Sequence, residues 1–340
     1  MDDGVSDEEL VMSEVHLGCP SGLSGPYVSH FTISIPSGFI DLDTETRRYV
    51  GDLPSRKQLI SFDEDGDLVL PRRMSNDVEV EPSVRSYIVK IQHNIMSTIP
   101  SVGLQVWKAE LALSDFVLHK MITSSELDGT VALELGAGTG LVGILLARVA
   151  KTVFLTDKGD HVLENCAKNI GLNSGGFNAG VQVHVRELDW TEPWPPKQTQ
   201  GECPRNNRFS WALSEVEEAQ GASLLVAADV IYSDDLTDAF FNILEKFMSQ
   251  GSEKVLYLAL EKRYNFTLDD FDIAVNGYYH FLSYLKLEED DAENGSLEYK
   301  SKPYFVGNRM DLSNIPQYAI NYERGKDVEI WQIKYYRKES

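Results

Sequence analysis

From residue 83 onward, short apolar runs alternate with stretches in which apolar residues recur every three or four positions. Val84–Ile91, Val131–Leu135, Thr152–Thr156, Val181–Val185, Leu224–Ala228 and Lys254–Leu260 read as strands. Leu104–Ile122, Leu141–Ala150, Gly159–Leu172 and Asp235–Gln250 read as helices. The first carries Leu111, Leu113, Phe116, Val117 and Met121 on one face. A mostly helical stretch is expected from Leu268 to about Leu285. Nearly continuous apolar strands alternating with amphipathic helices predict an α/β fold whose parallel sheet is covered on both faces. Gln317–Tyr322, the polar turn Glu323–Asp327 and Val328–Tyr336 then have hairpin spacing, which makes the last strand antiparallel to its neighbour. Two stretches break the pattern and are expected as insertions. Residues 191–222 hold four prolines, and 288–316 open on EEDDAENG.

Residues 1–82 have a different texture. Phe31, Ile33 and Ile35 alternate like a half-buried strand, but Pro36 and Gly38 follow. Residues 1–26 are polar and expected to be mobile. DEDGD at 63–67 resembles the start of a calcium loop without the glutamate that such a loop needs at its twelfth position, so a solvated turn is expected. The segment carries 17 acidic and 6 basic residues, half of the whole chain's net charge of −22. It is therefore expected to be a separate, partly disordered acidic extension to a domain spanning 83–340. Its removal should leave affinity for a ligand of that domain intact.

At 340 residues, 42% of them apolar, the chain can bury a sizeable core. Its acidity argues against nucleic-acid binding by general phosphate attraction and suits a basic partner. Three cysteines without a CxxC pair, and seven histidines without ligand spacing, predict neither a disulfide scaffold nor a metal site. The longest apolar run, Leu141 to Ala147, is too short to span a bilayer, and the acidic N-terminus lacks the features of a signal peptide. A soluble intracellular protein is expected, with nucleus or cytoplasm left open.

The strongest chemical signal is VALELGAGTGLVG at 131–143, a strand running through Gly136, Gly138 and Gly140 into a helix. Glycines allow a sharp turn and close approach of a ligand, and a helix N-terminus offers free amides. Residues 138–143 also match the dinucleotide pattern GxGxxG. Against a nicotinamide cofactor stand the register of Gly136 with the strand end, Glu134 inside the strand, and the helix and strand that precede the motif. Asp157, at the end of the second strand, can accept both hydroxyls of a ribose, or else cap the next helix. Asp189 and Trp190 follow the third strand; Asp229 and Tyr232 (DVIY) follow the fourth, at the sheet edge where open α/β folds bind ligands.

Together, ELGAGTGLVG, TD, LDW and DVIY resemble the class I methyltransferases that use S-adenosylmethionine, and among them the family 16 protein-lysine methyltransferases. VWKAE at 106–110 and DVEIWQ at 327–332 extend the resemblance over about residues 83–336. It implies a doubly wound, Rossmann-like α/β fold with a mostly parallel seven-strand sheet and an antiparallel last strand. It further implies that Trp107, Glu134 and Gly136, Ala137, Gly138 and Gly140 serve the cofactor, with Asp157 on the ribose, Asp189 and Trp190 at the adenine and Ala228 beneath. Asp229 and Tyr232 would face the methyl-transfer site. The implied partner is a protein substrate, with molecular chaperones as a partner class. A methyltransferase of nucleic acid or small molecules, and a cofactor-binding scaffold, are the alternatives.

Overall fold

The structure is a computed structural model that describes residues 10–13, 15, 25–35, 61–62, 68–69, 85–196, 208–266, 273–275, 277–287, 304–320 and 322–337. Its N-terminal strands are β1 (Leu10–Met12), β2 (Tyr27–Ile35), β3 (Ser61–Phe62), β4 (Leu68–Val69), β5 (Arg85–His93) and β6 (Met96–Thr98). A 3-10 turn, Ile99–Leu104, leads into α1 (Lys108–Thr123). The alternating part runs β7 (Val131–Leu135), α2 (Leu141–Leu146), β8 (Thr152–Asp157), α3 (Asp160–Asn173), β9 (Gln182–Glu187), α4 (Leu213–Gln220), β10 (Leu224–Ala228), α5 (Asp234–Met248) and β11 (Val255–Glu261). It ends with β12 (Tyr264–Phe266), β13 (Ile273–Val275), α6 (Tyr278–Ser283), β14 (Leu285–Leu287), β15 (Tyr304–Arg309) and β16 (Val328–Tyr336). Among the described residues no helix is long and apolar enough to cross a membrane.

Eight strands form the central sheet in the order β14-β15-β16-β11-β10-β7-β8-β9. β16 is antiparallel to both its neighbours, and the other pairs are parallel. The doubly wound α/β architecture is as expected, with short β14 added as an eighth strand at the edge. Period-two alternation sorts the core. Ala132, Val153, Leu155, Val226 and Ala259 face α1–α3, whereas Leu133, Phe154, Leu225 and Leu258 face α4–α6. Strand order reverses between β7 and β10, which opens a crevice at their carboxyl ends.

Four expectations change. The last strand's hairpin partner is β15, inside the stretch expected to be an insertion, and not residues 317–322. Those residues instead lie along β2: Ser34 N–H donates to the Tyr318 carbonyl (2.9 Å) and Ile320 N–H to that of Thr32 (3.0 Å). Asp115 on α1, fully buried, holds them by accepting from the backbone amides of Tyr318 (2.7 Å) and Ala319 (2.9 Å), from Tyr322 and from Arg324 (2.8 Å). Of the helical stretch expected from Leu268 to about Leu285, the described residues hold β13, which pairs antiparallel with β12, and then α6; residues 268–272 lie outside them. The irregular stretch expected at 191–222 contains α4, the crossover helix between β9 and β10, anchored by Arg186–Glu215 (2.5 Å).

The fourth change concerns the boundary expected at residue 82. β2 pairs with β5 over nine residues, which carries Phe31 and Ile33 into the same core as Val89 and Ile91. The second edge of β5 is satisfied by α3. Asn169 and Asn173 each exchange a pair of hydrogen bonds with the backbone of Gln92 and Lys90, at 2.7–3.0 Å, and Asn165 donates to the Gln92 carbonyl (3.0 Å). Three asparagines at four-residue spacing lie on one helix face, so they can line up along a strand. Most of residues 1–26, and the expected calcium-loop-like turn at 63–67, lie outside the described residues.

Candidate functional site

At the reversal point lies a cavity of about 490 Å³. Its walls bring together Trp107, Glu134, Gly136, Ala137, Gly138, Asp157, Asp189, Trp190, Ala228, Asp229 and Tyr232. Gly140, the remaining expected residue, does not line it. Its φ of 83° and the Cys166 sulfur 2.8 Å from where a Cβ would stand require glycine for packing instead.

The glycine loop turns with left-handed φ of 70° at Gly136 and 51° at Gly138. A Cβ on Gly136 would meet Val230 at 2.7 Å and the Trp190 ring at 3.3 Å. The loop's amides are largely used within the protein. Ala137 N–H donates to the Thr156 carbonyl (2.8 Å) and Gly138 N–H to Asp157 Oδ2 (2.7 Å). Leu141 N–H, expected to be free at the helix start, donates to Glu110 Oε1 (3.3 Å). The Asp157 carboxyl also accepts from Lys158 N–H (2.7 Å), and burial raises its pKa against these two bonds.

The adenine-side expectations lie together. Trp190 packs edge-on to Phe240 at 5.3 Å. Asp189 accepts from Lys158 Nζ (2.6 Å) and Thr191 Oγ1 (2.6 Å); burial pushes its pKa up, but these partners more than offset it and the net shift is downward.

Directly after β10, Asp229 stands in the left-handed region, φ 58°, a conformation that aspartate tolerates better than most side chains. Its N–H donates to the Ala259 carbonyl (2.8 Å). Its side chain is 2% exposed and ion-paired with Arg263, and Oδ1 has no hydrogen-bond partner. Burial raises the Asp229 pKa; Arg263 lowers it, the Glu261 carboxyl raises it, and the Glu261 backbone N–H lowers it. The Arg263 guanidinium sits 4.8 Å from the centroid of the Trp107 ring, and Trp107 Nε1 donates to the Val102 carbonyl (3.1 Å). Tyr232 stands at the cavity wall, 39% exposed, its pKa pushed up to about 12 by desolvation and then by Asp157 and Asp229.

Three contributors went unrecognised in the sequence. Glu110, on the first turn of α1, is buried and accepts from Thr139 Oγ1 (2.6 Å), Leu141 N–H and Trp107 N–H (3.4 Å); desolvation raises its pKa to about 7. Glu134, which also lines the cavity, is raised well above its ordinary value, first by burial and then by Glu110, with the Gly143 backbone N–H opposing; its Oε2 lies against Gly143 without a well-formed hydrogen bond. Gly103, in the 3-10 turn, lies against the loop so closely that a Cβ there would meet Val162 at 2.8 Å and Gly138 Cα at 3.4 Å. Fully buried Gln105 ties this turn to the N-terminal strands, accepting from Ser13 N–H (2.6 Å) and donating to the Val11 carbonyl (3.1 Å). The acidic Glu110, three residues past Trp107 in VWKAE, was the available signal; nothing local marks Gly103.

Residues 86–203 match the family described as lysine methyltransferase. The chain is also similar to human methyltransferase-like protein 22, 36% identical over 255 residues, which are 72% of this chain and 57% of the relative. It is 29% identical to protein-lysine N-methyltransferase EFM2 of Saccharomyces cerevisiae, over 51% of this chain and 40% of that one. The chain thus spans little more than half the length of the first of these relatives. A solved structure of magnesium protoporphyrin IX methyltransferase from Synechocystis with bound SAM covers 66% of this chain and 79% of its own, at 13% identity and a TM-score of 0.37, too loose to bear on the site. The family match falls on β5 to β9, and so includes the glycine loop, Asp157, Asp189 and Trp190.

Proposed function

We propose that this chain is an S-adenosylmethionine-dependent methyltransferase that acts on a lysine side chain of a protein. The observation that carries this reading is the charge character of the cavity. Glu110, Glu134, Asp157, Asp189 and Asp229 line it, and of its described lining residues only Lys158 is cationic, itself bound to Asp189. A nicotinamide dinucleotide brings two phosphates, but the one lining cation is bound to Asp189 and the amides of Ala137, Gly138 and Leu141 are donated within the protein, so the described lining offers them little. A phosphate-free nucleoside with an ammonium and a sulfonium suits it, and Glu134, buried with one oxygen unpartnered, has acceptor capacity to offer. Asp157 would hold the ribose hydroxyls, Trp190 and Asp189 the adenine, and Trp107 with Gly136–Gly138 the methionine end, over Ala228.

When bound, S-adenosylmethionine supplies a methyl group on a positively charged sulfur, which accepts the carbon–sulfur electron pair as the methyl departs. The acceptor must be a neutral amine, yet a free lysine titrates near ~10.4. Desolvation in the cavity lowers that value. Asp229 can accept a hydrogen bond from the amine through its unpartnered Oδ1 and so help hold the nitrogen lone pair in line. Holding amine and methyl donor together as a whole supplies on the order of 7 kcal/mol or more. The Tyr232 ring flanks the same end. The partner favoured by the chain's net charge of −22 is a basic protein, with molecular chaperones as a class to include among the substrates tried.

The test pairs binding with transfer. Tritiated S-adenosylmethionine and a cell extract should yield label that protease removes and nuclease does not. Asp229→Ala should lower transfer by about 10²-fold, as for removal of one preorganised electrostatic contact. Cofactor affinity should stay within about threefold, because Asp157 and the glycine loop carry it. Full transfer by the variant would remove Asp229 from the reaction, and loss of cofactor binding would make it structural.

A further inference from the structure

Arg263 belongs to no motif, yet it is built into the methyl-transfer end of the cavity. Its guanidinium is fixed on two sides, by the Trp107 ring at 4.8 Å and by Asp229 Oδ2. Trp107 is itself held by the Val102 carbonyl. Trp107, Asp229 and Tyr232 line the cavity, and Arg263 does not. One oxygen of Asp229 is thereby committed outward to Arg263, while the other is buried and unpartnered. We propose that Arg263 is a positioning residue: braced on Trp107, it pins Oδ2 of Asp229 as a carboxylate and leaves Oδ1 as the acceptor for the substrate's amino group. This rests on the methyltransferase reading of the cavity and adds to it the residue that sets the charge and orientation of Asp229.

The surroundings of Asp229 make that charge precarious. Glu261, at the end of β11, and Glu110, on α1, are the carboxyl groups that bear on it, with the Tyr232 hydroxyl in its own loop. Lys108 is spent on Glu261. The carboxyl is also desolvated, which favours the protonated acid, while the Glu261 backbone N–H favours the carboxylate to a smaller extent than Arg263 does. Arg263 is the cation set directly against it. Without the guanidinium, Asp229 takes up a proton at higher pH, and as an acid it no longer draws an amine toward the cavity.

Two measurements test this on the full-length chain. Tryptophan emission is first titrated with acid, without cofactor, for the wild type, Trp107→Phe and Asp229→Asn. A Trp107-dependent change is expected, because protonation of Asp229 frees the guanidinium from the ring, and it should vanish in Asp229→Asn. Its persistence in Asp229→Asn overturns the proposal. Transfer of tritiated methyl to the protein of a cell extract is then followed against pH. Arg263→Gln should lose about tenfold or more near neutrality and recover as pH rises, about tenfold for each unit by which the Asp229 pKa is displaced. Arg263→Lys should fall between the two. Equal loss at every pH, with the fold intact by circular dichroism, overturns the proposal. A wild type that labels no protein would sink the enzymatic reading instead, while the emission titration would still report on the Arg263–Asp229 pair.

Discussion

Glu110 is the side chain on which the parts of the site converge. It joins α1 to the start of α2 through Leu141, to the glycine loop through Thr139, and to the backbone of Trp107. Burial lifts its pKa from 4.5 to about 7, so the folded protein prefers the protonated acid more than the unfolded chain does. Stability from this preference is fully present below about pH 4.5 and is lost as pH rises through about 7. Glu110→Gln removes that slope. Denaturant unfolding between about pH 5 and pH 8 should show the wild type losing on the order of 2–3 kcal/mol relative to the variant. Parallel pH dependences would mean that the carboxyl stays ionised in the fold. That Gly136, Asp157, Asp189 and Asp229 would meet at one cavity was legible because each stands at or just after a strand end, and in this architecture strand ends border the ligand crevice. The Arg263–Asp229 pair was legible as one option for an acid at the end of the fourth strand facing a base after the fifth, and the structure forms it. Gly103 was not, since it acts on Gly138, about 35 positions away, and no local pattern encodes such a meeting.

At the scale of elements, helix–strand alternation between Val131 and Leu260 was legible, α4 apart, because β7, β8, β10 and β11 are apolar on both faces and α3 and α5 on one. Pairing was less so. Residues 317–322 lie next to β16 in sequence and look like its hairpin partner, but buried Asp115 offers their amides a better acceptor and β15 takes the sheet position. The asparagine ladder of α3 was equally invisible, as isolated asparagines read as solvent-facing. Its members should differ in weight. Asn169 is fully buried and donates not only to Gln92 but also to the Thr139 carbonyl in the glycine loop (2.9 Å), whereas Asn173 bonds Lys90 near the surface. Asn169→Ala leaves buried backbone groups unsatisfied and should cost about 1–3 kcal/mol, with weaker cofactor binding. Asn173→Ala should cost less than about 1 kcal/mol and leave cofactor affinity alone. Thermal unfolding and calorimetry of both variants check the contrast, and equal effects would show that the ladder does not support the loop.

At the scale of the whole molecule, the uneven charge misdirected the domain boundary. Residues 1–82 carry half of the net −22, which reads as a detached acidic segment, yet a strand within it completes the core. Hydrophobic alternation at Phe31, Ile33 and Ile35 was the truer signal, outweighed by Pro36 and Gly38 that follow. The consequence reaches the site: β2 pairs with β5, β1 with β6, and β6 leads into the 3-10 turn that lays Gly103 on Gly138. Removal of residues 1–82 is therefore expected to harm cofactor binding, contrary to what the charge pattern suggests. Burial of Phe31 and Ile33 is worth about 1.5–3 kcal/mol each, a large share of the 5–15 kcal/mol by which domains are typically stable. The truncated chain should melt earlier and bind S-adenosylmethionine at least about tenfold more weakly. Ile33→Ala in the full chain separates packing from charge, because it keeps every acidic residue. It should lose about 2–5 kcal/mol and shift cofactor affinity in the same direction as the truncation. A truncated chain with wild-type melting and affinity would return residues 1–82 to the status of an appendage, and a truncation effect that Ile33→Ala does not share would assign the loss to charge.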